Sequence, residues 1–424
     1  MNAAKNHSLQ NKNGLSGMQY GIPIFLFFAA RFFILFFGRN SFSSWMTTPY
    51  VITYKLGFIS RAFIGSVIAL FTDYLTLKEF KVITVTVTLV LLALISFLLG
   101  KVIAKVGSDN KNIILVFVLL FISAPVSMTY LLEAHFGRLE AFLLIFTLTG
   151  LLCLKNPRIK WAVPLICFVA ISTHPGYLVT YMPGLAIPML YEIYRSKYSK
   201  KSIVIFFSGC IILIGFFVYF QLFSRGQLGF ANAEEMGKYL SQQTDMKVGL
   251  PMLYLEYFAP FPQWVTEYVI PLTRSMDLPV VGIALLTVSL PLIIIFGSIW
   301  IYSIRNAGNN FLKFIFILCL VAPLAFIPAA VFGADWDREW APVINCQFIF
   351  LFYFVYTKEI VITDSLKKVN EFFDRHTLLL LCILTFGGLA MFSNIGTLWM
   401  NFMDKSIYNS YFGTALSNFD YMLG

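Results

Sequence analysis

Long apolar runs separated by polar connections form the main pattern along the chain. A helix needs about 20 apolar residues to cross a bilayer, and eleven runs approach that length. They cover residues 22–38, 82–100, 112–131, 140–154, 161–173, 178–194, 203–223, 278–302, 314–332, 341–357 and 377–393. Because backbone groups in lipid must be paired within their own segment, the pattern predicts an all-α fold, a transmembrane helix bundle of about eleven spans. No linker divides the chain, so we expect residues 1–424 to form a single integral membrane domain.

Three long polar segments interrupt the apolar pattern. We expect residues 1–21 to be a cytoplasmic tail, residues 38–81 a first outer loop and residues 224–277 a large outer loop. Within the first outer loop, residues 58–72 are mainly apolar, but they are few and Arg61 interrupts them. This segment predicts a helix that lies in the outer interface instead of crossing the bilayer.

The composition excludes a water-soluble protein. Hydrophobic residues make up 58% of the 424 positions and charged residues only 12%, whereas a soluble chain carries about 25% charged residues. A mean hydropathy of +0.78 and 45 phenylalanines leave too little polar surface to cover a soluble core. The six cysteines lie in apolar runs without C-x-x-C spacing, so they predict neither disulfides nor a metal centre.

The distribution of charge predicts the orientation of the chain. The net charge is +10, but the basic residues lie at the ends of the runs, so we expect no nucleic-acid partner. With the N-terminus inside, the inner segments hold 18 of the 31 basic residues, although they are much the shorter set. Of the 21 acids, 15 fall outside. The positive-inside rule therefore predicts a multi-pass protein with its N-terminus inside and its C-terminus outside.

Ionisable residues gather in three short outer turns. These are EAHFGRLE with Glu133, His135 and Arg138, THPGY with His174, and ADWDREW with Asp335, Asp337 and Arg338. Charges at membrane depth are costly and tend to face a cavity or each other. We therefore expect the three turns to converge on one pocket that opens outward.

Each turn also has a purely structural interpretation. Asp335 is placed to cap the next helix, Trp336 and Trp340 are typical interface anchors, and EAHFGRLE offers pairs three and four residues apart. The conjunction of all three turns on one side favours a functional site.

Three further residues extend the candidate site. Arg31 lies within the first span, where it either snorkels or binds a phosphate or carboxylate, and Arg61 has the same option from the interface. The large outer loop contains Glu256 among many aromatic residues. Aromatic faces with a few carboxylates suit sugar rings or lipid headgroups, although an interfacial cover is the simpler interpretation.

The sequence lacks the motifs of nucleotide-driven transporters, zinc proteases and serine hydrolases. It contains no G-x-x-x-x-G-K-[ST] loop, no H-E-x-x-H and no G-x-S-x-G motif. Chemistry at the outer face then needs a donor that is already in the membrane, and a polyprenyl-phosphate-linked saccharide is such a donor.

LGFISRAFIG, HFGRLE, THPGY and ADWDREW resemble turns of bacterial polytopic enzymes, and the layout of the whole chain resembles them too. The families are the GT-C-class lipid-sugar glycosyltransferases and the O-antigen or capsule polymerases. The resemblance implies a multi-pass protein of a bacterial cytoplasmic membrane that acts in cell-surface polysaccharide biosynthesis. It also implies contact with membrane lipid and with other envelope polysaccharide-assembly proteins.

One departure bears on the mechanism. GT-C enzymes usually carry an acidic residue soon after the first span, but here Gly38 to Arg61 contains no Asp or Glu, and Asp73 is the first acid. This favours a metal-independent polymerase without a cofactor. Asp335 and Asp337 also carry the carboxylate oxygens that Mg²⁺ or Mn²⁺ prefers. A reaction that depends on a divalent cation is therefore the alternative.

The hypothesis is a glycosyl transfer between saccharides at the outer leaflet. Asp335, Asp337 or His174 would accept the proton of the attacking hydroxyl. The substrate-binding residues would be Arg338, Arg138, Glu133, His135, Arg61, Arg31 and Glu256. The alternatives are a transporter or flippase for a lipid-linked saccharide or another amphiphile, and a scaffold subunit without chemistry of its own.

Overall fold

The computed structural model describes residues 2–37, 42–124, 127–133, 136–224, 228–259, 278–325 and 336–392. Within these ranges the chain is helical and has no strand, only one isolated parallel bridge between Leu75 and Thr244. The prediction of an all-α fold is confirmed.

The helices follow the apolar runs of the sequence. They are α1 (Asn2–Phe37), α2 (Ser44–Thr47), α3 (Ala62–Ile68), α4 (Leu77–Lys105), α5 (Lys111–Ser123), α6 (Met128–Glu133), α7 (Glu140–Lys155), α8 (Ala162–Thr173), α9 (Met182–Arg195), α10 (Lys200–Leu222), α11 (Ala233–Ser241), α12 (Leu250–Leu253), α13 (Leu278–Asn306), α14 (Asn310–Val321), α15 (Trp336–Thr357), α16 (Ile360–Arg375) and α17 (Thr377–Phe392).

Five helices are long and apolar enough to cross a membrane within the described residues. Their apolar stretches are Gly17–Ile34, Leu77–Lys105, Lys200–Leu222, Ser289–Asn306 and Trp340–Thr357. Other predicted spans form shorter helices, such as the 12-residue α8 and the 13-residue α5. The span count of about eleven therefore stays a prediction, while the multi-pass helical character is supported.

Helices α1 and α4 pack antiparallel at very close range. Gly17 and Gly21 of α1 face Gly100 of α4, and a Cβ atom on Gly100 would overlap the carbonyl oxygen of Gly17. Small residues allow the backbones of membrane helices to approach this closely. On the same two helices, Phe28 and Leu91 are fully buried in the large core.

Residues 42–76 and 228–259 fold together into a separate layer, which we call the cap. Its own core contains Tyr50, Ile52, Met236 and Met252. The segment 58–72 contains α3, which begins after Arg61, a residue with a left-handed backbone conformation (φ of 60°). The position of this helix in the outer interface stays a prediction.

A cluster of basic residues lies at the end of the bundle opposite the cap. Helix α4 begins at the cap, where the backbone N–H of Leu77 donates to Asp245 (2.7 Å). Its 29 residues end at Lys105, about 42 Å away. Lys155, at the end of α7, approaches the same Tyr356 ring as Lys105. We call this region the basic end. The separation agrees with the charge pattern of the loops.

We predict that Gly100→Ala destabilises the fold, because the new methyl group forces α1 and α4 apart. Overpacking of this kind costs about 1–3 kcal/mol, so the thermal unfolding midpoint of the purified protein should fall. Gly297→Ala in α13 is the control, since a Cβ there meets no atom within 4 Å. Equal midpoints for the two variants would contradict the close packing.

Candidate functional site

The cap contains a pocket whose lining is part polar and part apolar. Its polar side chains come from both segments of the cap: Tyr50, Thr53, Lys55, Thr72, Asp73 and Gln243. They supply hydroxyl, ammonium, carboxylate and amide groups beside an aromatic ring. Such a set both donates and accepts hydrogen bonds, which a polyhydroxylated ligand requires.

Tight backbone packing shapes one wall of the pocket. A Cβ atom on Gly65 of α3 would overlap the carbonyl oxygen of Ile52, so only glycine lets α3 lie against residues 50–53. The hydroxyl of Ser66 accepts a hydrogen bond from the backbone N–H of Tyr54 (2.7 Å) and donates to the carbonyl of Ala62 (2.7 Å). These contacts hold Thr53 and Lys55 at the pocket.

Two charged side chains meet at the pocket with ample solvent access. Lys55 Nζ lies 3.3 Å from Asp73 Oδ1, and the two side chains are 64% and 90% exposed. An ion pair this exposed contributes little to stability. Both groups are therefore available to a ligand at small cost.

Tyr50 lines the pocket but is almost completely buried. Its ring packs edge-on against Phe80, with 4.9 Å between the centroids. Burial raises the pKa of the Tyr50 phenol above its ordinary value, and the nearby carboxylate of Glu140 raises it further. The hydroxyl therefore stays protonated at neutral pH.

Contacts between distant segments close the cap around the pocket. The backbone N–H of Leu75 donates to the carbonyl of Gln243 (2.9 Å), and the hydroxyl of Thr244 donates to the carbonyl of Leu75 (2.6 Å). The backbone N–H of Gly249 donates to the hydroxyl of Thr48 (2.8 Å). These bonds bring Gln243 to the residues of the first loop.

Arg61 and Glu256 form the shortest described ion pair of the cap. Arg61 Nη2 lies 2.6 Å from Glu256 Oε1, and the side chains are only 14% and 21% exposed. Beside the pair, the hydroxyl of Tyr257 donates to the carbonyl of Ser60 (2.8 Å). Burial raises the pKa of the Tyr257 phenol, and the Glu256 carboxylate raises it further, so this donor is retained. The structure thus joins two residues that the sequence placed in one substrate site.

The structure also describes the positions of three other predicted residues, His174, Arg138 and Arg31. His174 follows α8, and its Nδ1 accepts the backbone N–H of Gly176 (2.9 Å), so the ring caps the turn Pro175–Leu178. Arg138 is half-buried in the turn before α7, next to Gly137, whose φ of 90° favours glycine. Arg31 is buried within α1.

The convergence of the three charged turns stays a prediction. His135 and Asp335 lie outside the described residues. At Glu133, Asp337 and Arg338 the structure describes only the helical backbone. The catalytic assignment of Asp335, Asp337 and His174 therefore rests on the sequence.

The lining of the cap pocket was not identified from the sequence. Lys55 and Asp73 flank the apolar run at 58–72, and Thr72 is its last residue. The polar residues at the ends of this run were the available signal. Gln243 lies about 170 residues away, and no local pattern indicates its place beside them.

Comparisons of this chain with protein-family models, with curated proteins and with solved structures find no match.

We predict that Glu256→Gln destabilises the cap, because it leaves the Arg61 guanidinium largely buried without its carboxylate. We expect a loss of about 1–2 kcal/mol, less than for a fully buried pair since both side chains keep some exposure. The measurement is the thermal unfolding midpoint in a double-mutant cycle with Arg61→Gln.

Lys368→Gln is the control for this cycle, because it removes an exposed ion pair with Glu371 (3.1 Å) far from the cap. Additive effects of Arg61→Gln and Glu256→Gln would show that the pair does not hold the cap.

Proposed function

We propose that the protein is a membrane glycosyltransferase or polysaccharide polymerase that uses a polyprenyl-phosphate-linked saccharide at the cap end of the bundle. The observation that carries this proposal is the cap pocket. Polar residues line it, and exposed apolar side chains follow directly beside them in the chain. The cell-envelope location and the contact with other polysaccharide-assembly proteins belong to the same proposal.

The chemistry of the pocket supports a saccharide. A sugar hydroxyl both donates and accepts hydrogen bonds. Thr53, Thr72 and Gln243 carry groups that can act as acceptor and as donor. Asp73 accepts and Lys55 donates, each from a largely exposed position.

The surface beside the pocket supports a ligand attached to lipid. Leu70 and Phe71 are 79% and 85% exposed, and they stand between Ala69 and Thr72, which line the pocket. Adjacent large apolar side chains with this exposure suit the acyl region of a bilayer surface. A saccharide in the pocket would then lie at the depth of a lipid headgroup.

The proposed reaction is the transfer of a saccharide from its pyrophosphate to a hydroxyl. The acceptor oxygen bonds to the anomeric carbon as the bond from that carbon to the pyrophosphate oxygen breaks, and polyprenyl pyrophosphate leaves with the electron pair. Asp335, Asp337 or His174 accepts the proton of the attacking hydroxyl. Arg338, Arg138 and Arg61 bind the pyrophosphate and stabilise its developing charge.

We predict that the purified protein in liposomes extends a polyprenyl-pyrophosphate-linked oligosaccharide. Asp73→Asn and Gln243→Ala should each lower the initial rate roughly tenfold at subsaturating substrate, since each removes about 1–1.5 kcal/mol of hydrogen bonding. Lys238→Gln, an exposed cap residue outside the pocket lining, is the control and should keep the rate.

The same assay separates the proposal from its alternatives. A changed leaflet distribution of the substrate without product growth would identify a flippase, and neither effect would favour a scaffold. Growth that is unaffected by the pocket variants would place the saccharide elsewhere.

We also predict that alanine at Arg338 or Asp337 shortens the polymer and lowers its yield, because these residues are assigned to the leaving group and the proton. Product length is measured by gel electrophoresis of the reaction. Unchanged length and yield would remove both residues from the mechanism.

A further inference from the structure

An apolar crevice lies between α4, α7 and α15 at the basic end. Leu98 of α4 and Leu152 of α7 line it and are partly exposed, so the crevice reaches the surface of the bundle. On α4 it extends from Ile95 to Val102. Seven residues of helix correspond to about 10 Å.

Cationic and aromatic groups stand at the basic end of this crevice. Lys155 lines it, and its Nζ lies 5.2 Å from the centroid of the Tyr353 ring. Lys105 Nζ lies 3.9 Å from the centroid of the Tyr356 ring, which also lines the crevice. Both ammonium groups therefore stand where an apolar space ends.

Two carboxylates lie near these cations, Glu192 and Glu359, and the Glu359 carboxylate accepts the hydroxyl of Tyr191 (2.6 Å). They are outnumbered by the basic groups of the region, which are Lys105, Lys155, Lys160, Arg195 and Lys358. Glu192 Oε1 lies 3.3 Å from Lys155 Nζ and 3.0 Å from Arg195 Nη1, and it accepts the hydroxyl of Tyr353 at 2.7 Å. One carboxylate is thus shared among several donors. Lys358 and Arg195 are also close enough to Lys105 to repel it. The region has an excess of positive charge that an anion would relieve.

We propose that this crevice binds one acyl chain of an anionic phospholipid, with the lipid phosphate held at Lys105 and Lys155. The length of the crevice along α4 suits an acyl chain, because about 10 Å is most of the roughly 15 Å hydrocarbon thickness of one leaflet. The charge fits as well, because lysines at a membrane surface attract anionic headgroups. The site lies at the end opposite the cap pocket, so it does not depend on the proposed function.

The test is native mass spectrometry of the delipidated full-length protein with phosphatidylglycerol or phosphatidylcholine of the same acyl chains. Phosphatidylglycerol should bind more tightly. Lys105→Gln should weaken it roughly fivefold, the effect of one lysine near a membrane surface. Leu98→Trp, which fills the crevice and leaves the charges in place, should abolish the preference.

Lys313→Gln is the matched control, because it removes an exposed lysine outside the crevice. Thermal unfolding of each variant shows whether it is folded. If Leu98→Trp does not fold, the comparison of Lys105→Gln with Lys313→Gln still decides the test. Equal binding of the two phospholipids, or equal effects of Lys105→Gln and Lys313→Gln, would overturn the proposal. Tighter binding of polyprenyl phosphate at this site would overturn it as well and indicate a substrate path.

Discussion

The structure of the cap depends on contacts between two segments that are almost 200 residues apart in the chain. The ion pair of Arg61 with Glu256 and the hydrogen bonds of Leu75 with Gln243 and Thr244 join them. The cap has its own apolar core, distinct from the large core of the bundle. These contacts bring Gln243 to Thr72 and Asp73 in the lining of the pocket.

Polar chemistry concentrates at the two ends of the bundle. Between the ends, the long helices pair their backbone groups internally and bury apolar side chains such as Phe28 and Leu91. At the cap end, ionisable groups surround a polar pocket. At the basic end, Lys155, Lys160 and Arg195 share Glu192 beside an apolar crevice. The cap end therefore suits a polar ligand, and the basic end suits a ligand with an apolar chain and an anionic group.

Much of the architecture was predictable because bilayer physics acts on short stretches of sequence. The apolar runs predicted the helices, and the lysines at the ends of those runs predicted a basic end. Arg61 and Glu256 were both selected as substrate residues, yet nothing in the local sequence indicated that they contact each other. Residue pairs so distant in the chain are fixed by tertiary packing, which periodicity does not encode. For the same reason Lys55 and Gln243 were missed, and the shortness of α5 and α8 shows that an apolar run alone does not fix the length of a helix.

The central claim is that a lipid-linked saccharide binds in the cap pocket at the bilayer surface. Its most direct test is photocrosslinking in liposomes with a polyprenyl-pyrophosphate-linked saccharide that carries a photoreactive group on the sugar, followed by mass-spectrometric mapping of the labelled peptides. The account predicts labels in residues 50–75 and 240–247, which an excess of unlabelled substrate prevents. Labels confined to the basic end, or cap labels that excess substrate does not reduce, would contradict it.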